Sequence, residues 1–115
     1  MDRNTPNRRK KERVEADKLP EGMREFRLDF GSGEIYTGTT VDASLSSISF
    51  IVEVPPNRIR EHEVRLISAD GNVEMVQELV YIKPVDASHS RISLMFDSGS
   101  TPDYYRREVG KALSR

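Results

Sequence analysis

Cysteine is absent from the 115 residues. This excludes disulfide staples, thiolate zinc sites and a cysteine nucleophile, and nothing points to an oxidising compartment. No apolar run approaches the roughly 20 residues of a membrane-spanning helix, and the opening MDRNTPNRRKKER is too polar for a secretory signal, so a soluble, cytoplasmic chain is expected. The two histidines, His62 beside a strand start and His89 in a turn, have no spacing that pairs them as metal ligands. No glycine-rich phosphate loop followed by Lys-Ser or Lys-Thr occurs, and Gly31-Ser32-Gly33 lacks the downstream glycine and helix of a dinucleotide fingerprint. Carboxylates are plentiful but scattered over strand faces, where solvation accounts for them. With no catalytic residue, metal or cofactor in view, the expectation is that the chain is not an enzyme.

What is present is a chain of single-domain size with segregated charge. Through Arg13 there are six basic residues (Arg3, Arg8, Arg9, Lys10, Lys11, Arg13) against Asp2 and Glu12, a net of +4, which leaves −5 on the remainder of a chain whose total is −1. A basic arm on an acidic body is a self-docking tail, a segment kept for an anionic partner, or a solubilising extension. Residues 1–19 carry few apolar side chains, and burial alone does not offset the entropy of ordering them. They are read as a flexible basic N-terminal arm, and residues 20–115 as the folded body.

Beyond the turn signal Pro20-Glu21-Gly22 the period becomes that of half-buried strands. Phe26, Leu28 and Phe30 alternate with Arg27 and Asp29, and Glu34 to Val41 follows the Gly31-Ser32-Gly33 turn. Ile48, Phe50, Val52 and Val54 share the face of a strand ended by Pro55-Pro56. His62–Ser68 and Val73–Lys83 flank the hairpin signal Asp70-Gly71-Asn72, and Ser90–Asp97 is the sixth strand. Thr101 as N-cap and Pro102 at the first helical position then start a helix to Leu113, with Tyr105, Val109, Ala112 and Leu113 as its apolar stripe. The fold class expected is all-β with a terminal helix: a six-stranded antiparallel β-barrel, closed because closure removes exposed edges. Its core is expected to contain Phe26, Leu28, Val41, Phe50, Val52, Leu66, Ile92, Leu94 and Phe96.

Two features could bind a ligand. Arg9 and Arg13 stand four apart, preceded by Arg8; guanidinium groups make bidentate bonds to phosphate and stack on bases. Asp42-Ala43-Ser44-Leu45-Ser46-Ser47 lies between two strands. An aspartate there can accept two hydrogen bonds from the Watson-Crick edge of guanine, with a serine adding a third contact; an ordinary Asx or Ser turn accounts for the same letters.

In this order, a basic Arg-x-x-x-Arg arm followed about thirty residues later by Asp-x-Ser-x-x-Ser between barrel strands resembles the PilZ domain of bacterial cyclic di-GMP receptors. Arg9 and Arg13 match the first motif, and Asp42 and Ser44 the second. The resemblance covers Arg8 to Phe96, and the terminal helix is in keeping with it. Where the family has glycine this sequence has Ser47, for which a left-handed backbone would cost about 1 kcal/mol. The resemblance implies a receptor for cyclic di-GMP that contacts the ligand through Arg8, Arg9, Arg13, Asp42, Ser44 and Ser47 and switches an unidentified effector protein as its arm becomes ordered. Two alternatives stay open: an adaptor of the same fold that has lost ligand binding, which Ser47 favours, and a single-strand nucleic-acid binder, which the acidic body and modest aromatic content oppose.

Overall fold

Alternating side chains from Glu25 onward put one apolar face inward on each of six strands, and the sheet they form closes on itself. The computed structural model describes residues 12–31, 33–55, 59, 63–96 and 98–114. A two-residue strand β1 (Val14–Glu15) precedes β2 (Glu25–Asp29), β3 (Ile35–Ala43), β4 (Ser47–Val52), β5 (Glu63–Ser68), β6 (Glu74–Asp86) and β7 (His89–Met95), and helix α1 (Asp103–Leu113) follows. Every pairing is antiparallel, in the order β3-β2-β5-β6-β7-β4, and β4 returns to pair with β3. The result is the closed six-stranded barrel with one C-terminal helix that the sequence led us to expect, a PilZ-like fold.

Phe26, Leu28, Phe50, Val52, Leu66, Ile92, Leu94 and Phe96 fill the interior, joined by Ile48, Val64 and Met23. Phe26 and Phe50 meet edge to face with ring centroids 5.2 Å apart, a geometry aromatic pairs favour. Gly38 makes this packing possible, since a Cβ there would lie 2.7 Å from Leu28 Cδ1 and 3.2 Å from Phe50 Cβ. Tyr105 and Val109, both fully buried, and Ala112 seat α1 on the barrel, and Tyr105 packs edge to face on Phe96. No helix among the described residues is long and apolar enough to cross a membrane.

Three expectations need correction. Val41, expected in the core, is half-buried because β3 bulges: the register passes from Thr40↔Phe50 to Asp42↔Ser49 and leaves Val41 as the extra residue. Helix α1 starts one residue later than expected, with Pro102 in the extended N-cap position and making no side-chain cap bond, while the expected cap Thr101 accepts the Arg106 guanidinium at 2.9 Å through its carbonyl. Strand β6 runs from Glu74 to Asp86 rather than from Val73 to Lys83, with Pro84 paired to Ser90 inside it.

Residues 14–19, which the sequence placed in the arm, are seated on the barrel. Val14 pairs with Ala43 and Glu15 with Asp42, and Val14 and Leu19 are buried. Arg24 donates to the carbonyls of Leu19 (3.2 Å) and Asp17 (3.1 Å), holding this segment against the body.

Candidate ligand-binding face

The bulge in β3 shapes the candidate face. Gly38 and Thr40 face the interior, and strict alternation would send residue 42 inward as well; the extra residue at Val41 instead turns Ala43 into the core and Asp42 outward. Asp42 is thereby delivered to the outer wall while still shielded, its side chain 16% exposed. Arg13 reaches it from the root of the arm, Nη1 donating to Oδ1 at 2.7 Å across a sequence separation of 29. The short β1 pairing fixes this approach, because Glu15 stands directly opposite Asp42. From the other side Arg91 on β7 donates through Nη2 to Oδ2 at 3.5 Å.

The turn that follows is built from within by its serines. Ser44 donates its backbone N–H to the Ser47 carbonyl (2.8 Å), and its Oγ accepts the Ser46 N–H (3.1 Å) and lies 3.0 Å from Ser47 Oγ. Both serines are buried. The Tyr105 hydroxyl of α1 donates to the carbonyls of Ser44 (2.8 Å) and Ser47 (3.1 Å), which clamps the turn from beneath. Burial pushes the Tyr105 phenol well above its ordinary value, with the nearby Arg13 charge opposing this and Asp42 adding to it. Helix, turn and ion pair therefore share one electrostatic environment.

Of the residues singled out by sequence, the fold brings Arg13 and Asp42 into direct contact and places Ser44 and Ser47 in the adjoining turn. Arg8 and Arg9 lie outside the described residues, as does His62. Ser47 carries no left-handed strain: among the described residues every positive φ belongs to a glycine, and Ser47 begins β4 in extended conformation. The cost assigned to replacing glycine there is therefore not incurred. His89 packs its Nδ1 2.9 Å from Asp86 Oδ1 and closes the β6–β7 turn. No group of three or more metal-ligating side chains occurs among the described residues.

Sequence reasoning overlooked Arg91, Ser49, Ser93 and Tyr81, which share the outer wall with Asp42. The signal for the first three lay in the polar halves of the same alternations that gave the core, Ser49 on β4 and Arg91 and Ser93 on β7. Which strand would lie beside Asp42 is set by the barrel order, which periodicity does not encode.

No protein-family model matches the chain, and no curated protein matches it. Among solved structures, the crystal structure of the Borreliella burgdorferi PlzA protein in complex with c-di-GMP aligns with 95% of this chain at a TM-score of 0.67 and 14% sequence identity. This chain covers 42% of that one. The barrel with its terminal helix is thus a fold shared with a protein whose structure contains c-di-GMP.

Proposed function

We propose that this chain is a cyclic di-GMP receptor domain that switches a partner protein through its N-terminal arm. The observation that carries the reading is the Arg13–Asp42 contact, which joins the end of the Arg-x-x-x-Arg motif to the aspartate of the second motif. In this reading the guanidinium groups of Arg8, Arg9 and Arg13 bind phosphate and stack on guanine. The Asp42 carboxylate accepts the N–H groups of a guanine edge. Ser44 and Ser47, whose hydroxyls are engaged with each other, hold the turn that aims Asp42 and its neighbouring backbone. The likeness to a structure containing c-di-GMP supports the choice of ligand.

One observation favours the rival reading of a ligand-free adaptor, because in the unliganded protein Arg13 and Asp42 satisfy each other. Magnitude supports the receptor reading. The Arg13 end of the pair is 43% exposed and the Asp42 end 16%, so water screens the contact from the arginine side and it contributes about 1 kcal/mol. Breaking it lowers affinity by less than about tenfold, whereas charge-assisted contacts to phosphate contribute about 1.5–3 kcal/mol each. The self-contact is a weak latch that a dinucleotide displaces.

Calorimetric titration of the full chain with cyclic di-GMP tests the reading. Saturable binding is expected, weakened about ten- to a hundredfold by Arg13→Ala. Asp42→Ala is expected to reduce discrimination against cyclic di-AMP. Absence of binding at high micromolar cyclic di-GMP, by the natural chain and by Ser47→Gly alike, overturns the receptor reading in favour of the adaptor.

A further inference from the structure

The wall beside Asp42 contains more than the two motifs use. Two in-register rows cross it. Glu15, Asp42, Ser49, Ser93 and Tyr81 stand opposite one another on β1, β3, β4, β7 and β6. One step along, Thr39, Ile51, Arg91 and Lys83 form the second row on β3, β4, β7 and β6. Directly paired residues point to the same side of a sheet, so both rows lie on the outer side, since Phe50 and Ile92 between them and Ile48 and Leu94 beyond the first row face in.

The first row has the profile of a trough. Ser49 and Ser93 share a hydroxyl contact of 2.8 Å at its floor, Asp42 stands on one flank, and Tyr81, 47% exposed, stands on the other. At about 4.8 Å per strand, the three spacings from β3 to β6 put these flanks about 14 Å apart along the sheet. The second row supplies the charge. Among the described residues, the Arg91 guanidinium makes one polar contact, to Asp42 at 3.5 Å, long for a charge-assisted bond. Lys83 stands next to it in register, exposed and with no ion-pair partner among the described residues.

We infer that this trough receives the second half of a dinucleotide whose first guanine is read by Asp42: Arg91 and Lys83 meet a phosphate, and the Tyr81 ring stacks on the second base. The inference rests on the receptor reading above, and it adds a second base-binding wall outside both motifs. Ser49 is buried and Ser93 half-buried, so an occupant would be held by the longer side chains that flank them, Asp42, Arg91, Lys83 and Tyr81. Two cations beside an aromatic ring suit an anion carrying a flat base, because guanidinium and ammonium groups bind phosphate while an aromatic face stacks on any base.

The test is calorimetry on the full chain with cyclic di-GMP and, separately, GMP, using Arg91→Ala, Tyr81→Ala and Tyr81→Phe, each first checked for an unchanged melting temperature. Arg91→Ala is expected to weaken cyclic di-GMP binding about ten- to a hundredfold. Tyr81→Ala is expected to weaken it about five- to a hundredfold, and Tyr81→Phe, which keeps the ring, by less than about threefold. Tyr81 makes no contact with Asp42, so it reports on the trough independently of any effect of Arg91 on that carboxylate. GMP fills only the Asp42 half and should bind the natural chain and Tyr81→Ala equally. If Tyr81→Ala and Arg91→Ala bind cyclic di-GMP as the natural chain does while Arg13→Ala and Asp42→Ala do not, the trough is overturned and the receptor reading stands. If the natural chain does not bind at all, both are overturned.

Discussion

Tyr105→Phe removes one oxygen from the interior, and its consequences can be followed closely. Ser47 O keeps a second donor in the Ser44 N–H, whereas Ser44 O has the Tyr105 hydroxyl as its partner in a residue only 1% exposed. Losing a net hydrogen bond costs about 0.5–1.5 kcal/mol, and stranding a buried acceptor costs about 1–3 kcal/mol. The change should therefore destabilise the protein by about 1.5–3 kcal/mol, read as a lower urea midpoint at constant m-value. The pH dependence supplies a second, independent reading. The folded-state phenol is raised above its ordinary value, so above about pH 10 the unfolded chain loses this proton while the folded chain keeps it. The resulting stability is complete below pH 10 and declines by about 1.4 kcal/mol per pH unit above it. The gap between the natural protein and Tyr105→Phe should narrow by about 1 kcal/mol from pH 10 to 11, other tyrosines being common to both. A gap below about 0.5 kcal/mol at neutral pH, or one constant to pH 11, would refute the clamp.

Other positions yield expectations of the same kind. Gly38→Ala forces a methyl against Leu28 and Phe50 and should cost about 1–3 kcal/mol in a denaturant titration, the usual penalty for overpacking; an unchanged midpoint would mean the neighbours yield freely. Ser47→Gly relieves no strain, since no positive φ exists there to relieve, and it removes the Ser44–Ser47 hydroxyl contact. Its melting temperature should fall rather than rise, by an amount corresponding to about 0.5–1.5 kcal/mol. The Asn72 N–H and the Ser68 hydroxyl hold the Asp70 carboxyl below the usual carboxylate range. That contribution is present above about pH 4 and lost as pH falls through the lowered folded value. The stability difference between the natural protein and Asp70→Ala should thus shrink in chemical denaturation between pH 5 and pH 2.

Much of the barrel was legible because its strands alternate cleanly: Phe26–Phe30, Ile48–Val52 and Ile92–Phe96 show their inner faces without help from the rest of the chain. The miss at Val41 has a different character. A bulge is a property of the pairing between β3 and β4, and nothing in Thr39-Thr40-Val41-Asp42 marks where the extra residue falls. Strand β1 was illegible because two residues carry no period; β3 supplies the missing partner. The candidate site was legible in its charged members, since Arg13 and Asp42 belong to recognisable spacings. Ser44 and Ser47 were read by letter as ligand contacts; that their hydroxyls lie 3.0 Å apart within the turn is a local arrangement the letters do not show. Tyr105 was visible as part of an apolar stripe; that its hydroxyl holds a turn some sixty residues upstream is a tertiary fact.

The order of strand pairing also bears on how the molecule opens. Strands β2, β3 and β4 form one hairpin-linked meander and β5, β6 and β7 another, and the two meet along just two lines, β2 with β5 and β4 with β7. Pairs such as Phe26↔Ser68 and Ser47↔Met95 close long stretches of chain. Such non-local pairings repay their loop-closure entropy late, so each meander should assemble before the two lines zip together. In the folded protein these lines are the two seams between the halves. The Ser49–Ser93 trough straddles the second of them, and the Arg91–Asp42 contact crosses it. An occupant reaching from Asp42 to Tyr81 would sew the halves together, and the amides of β4 and β7 would report its arrival by slower hydrogen exchange.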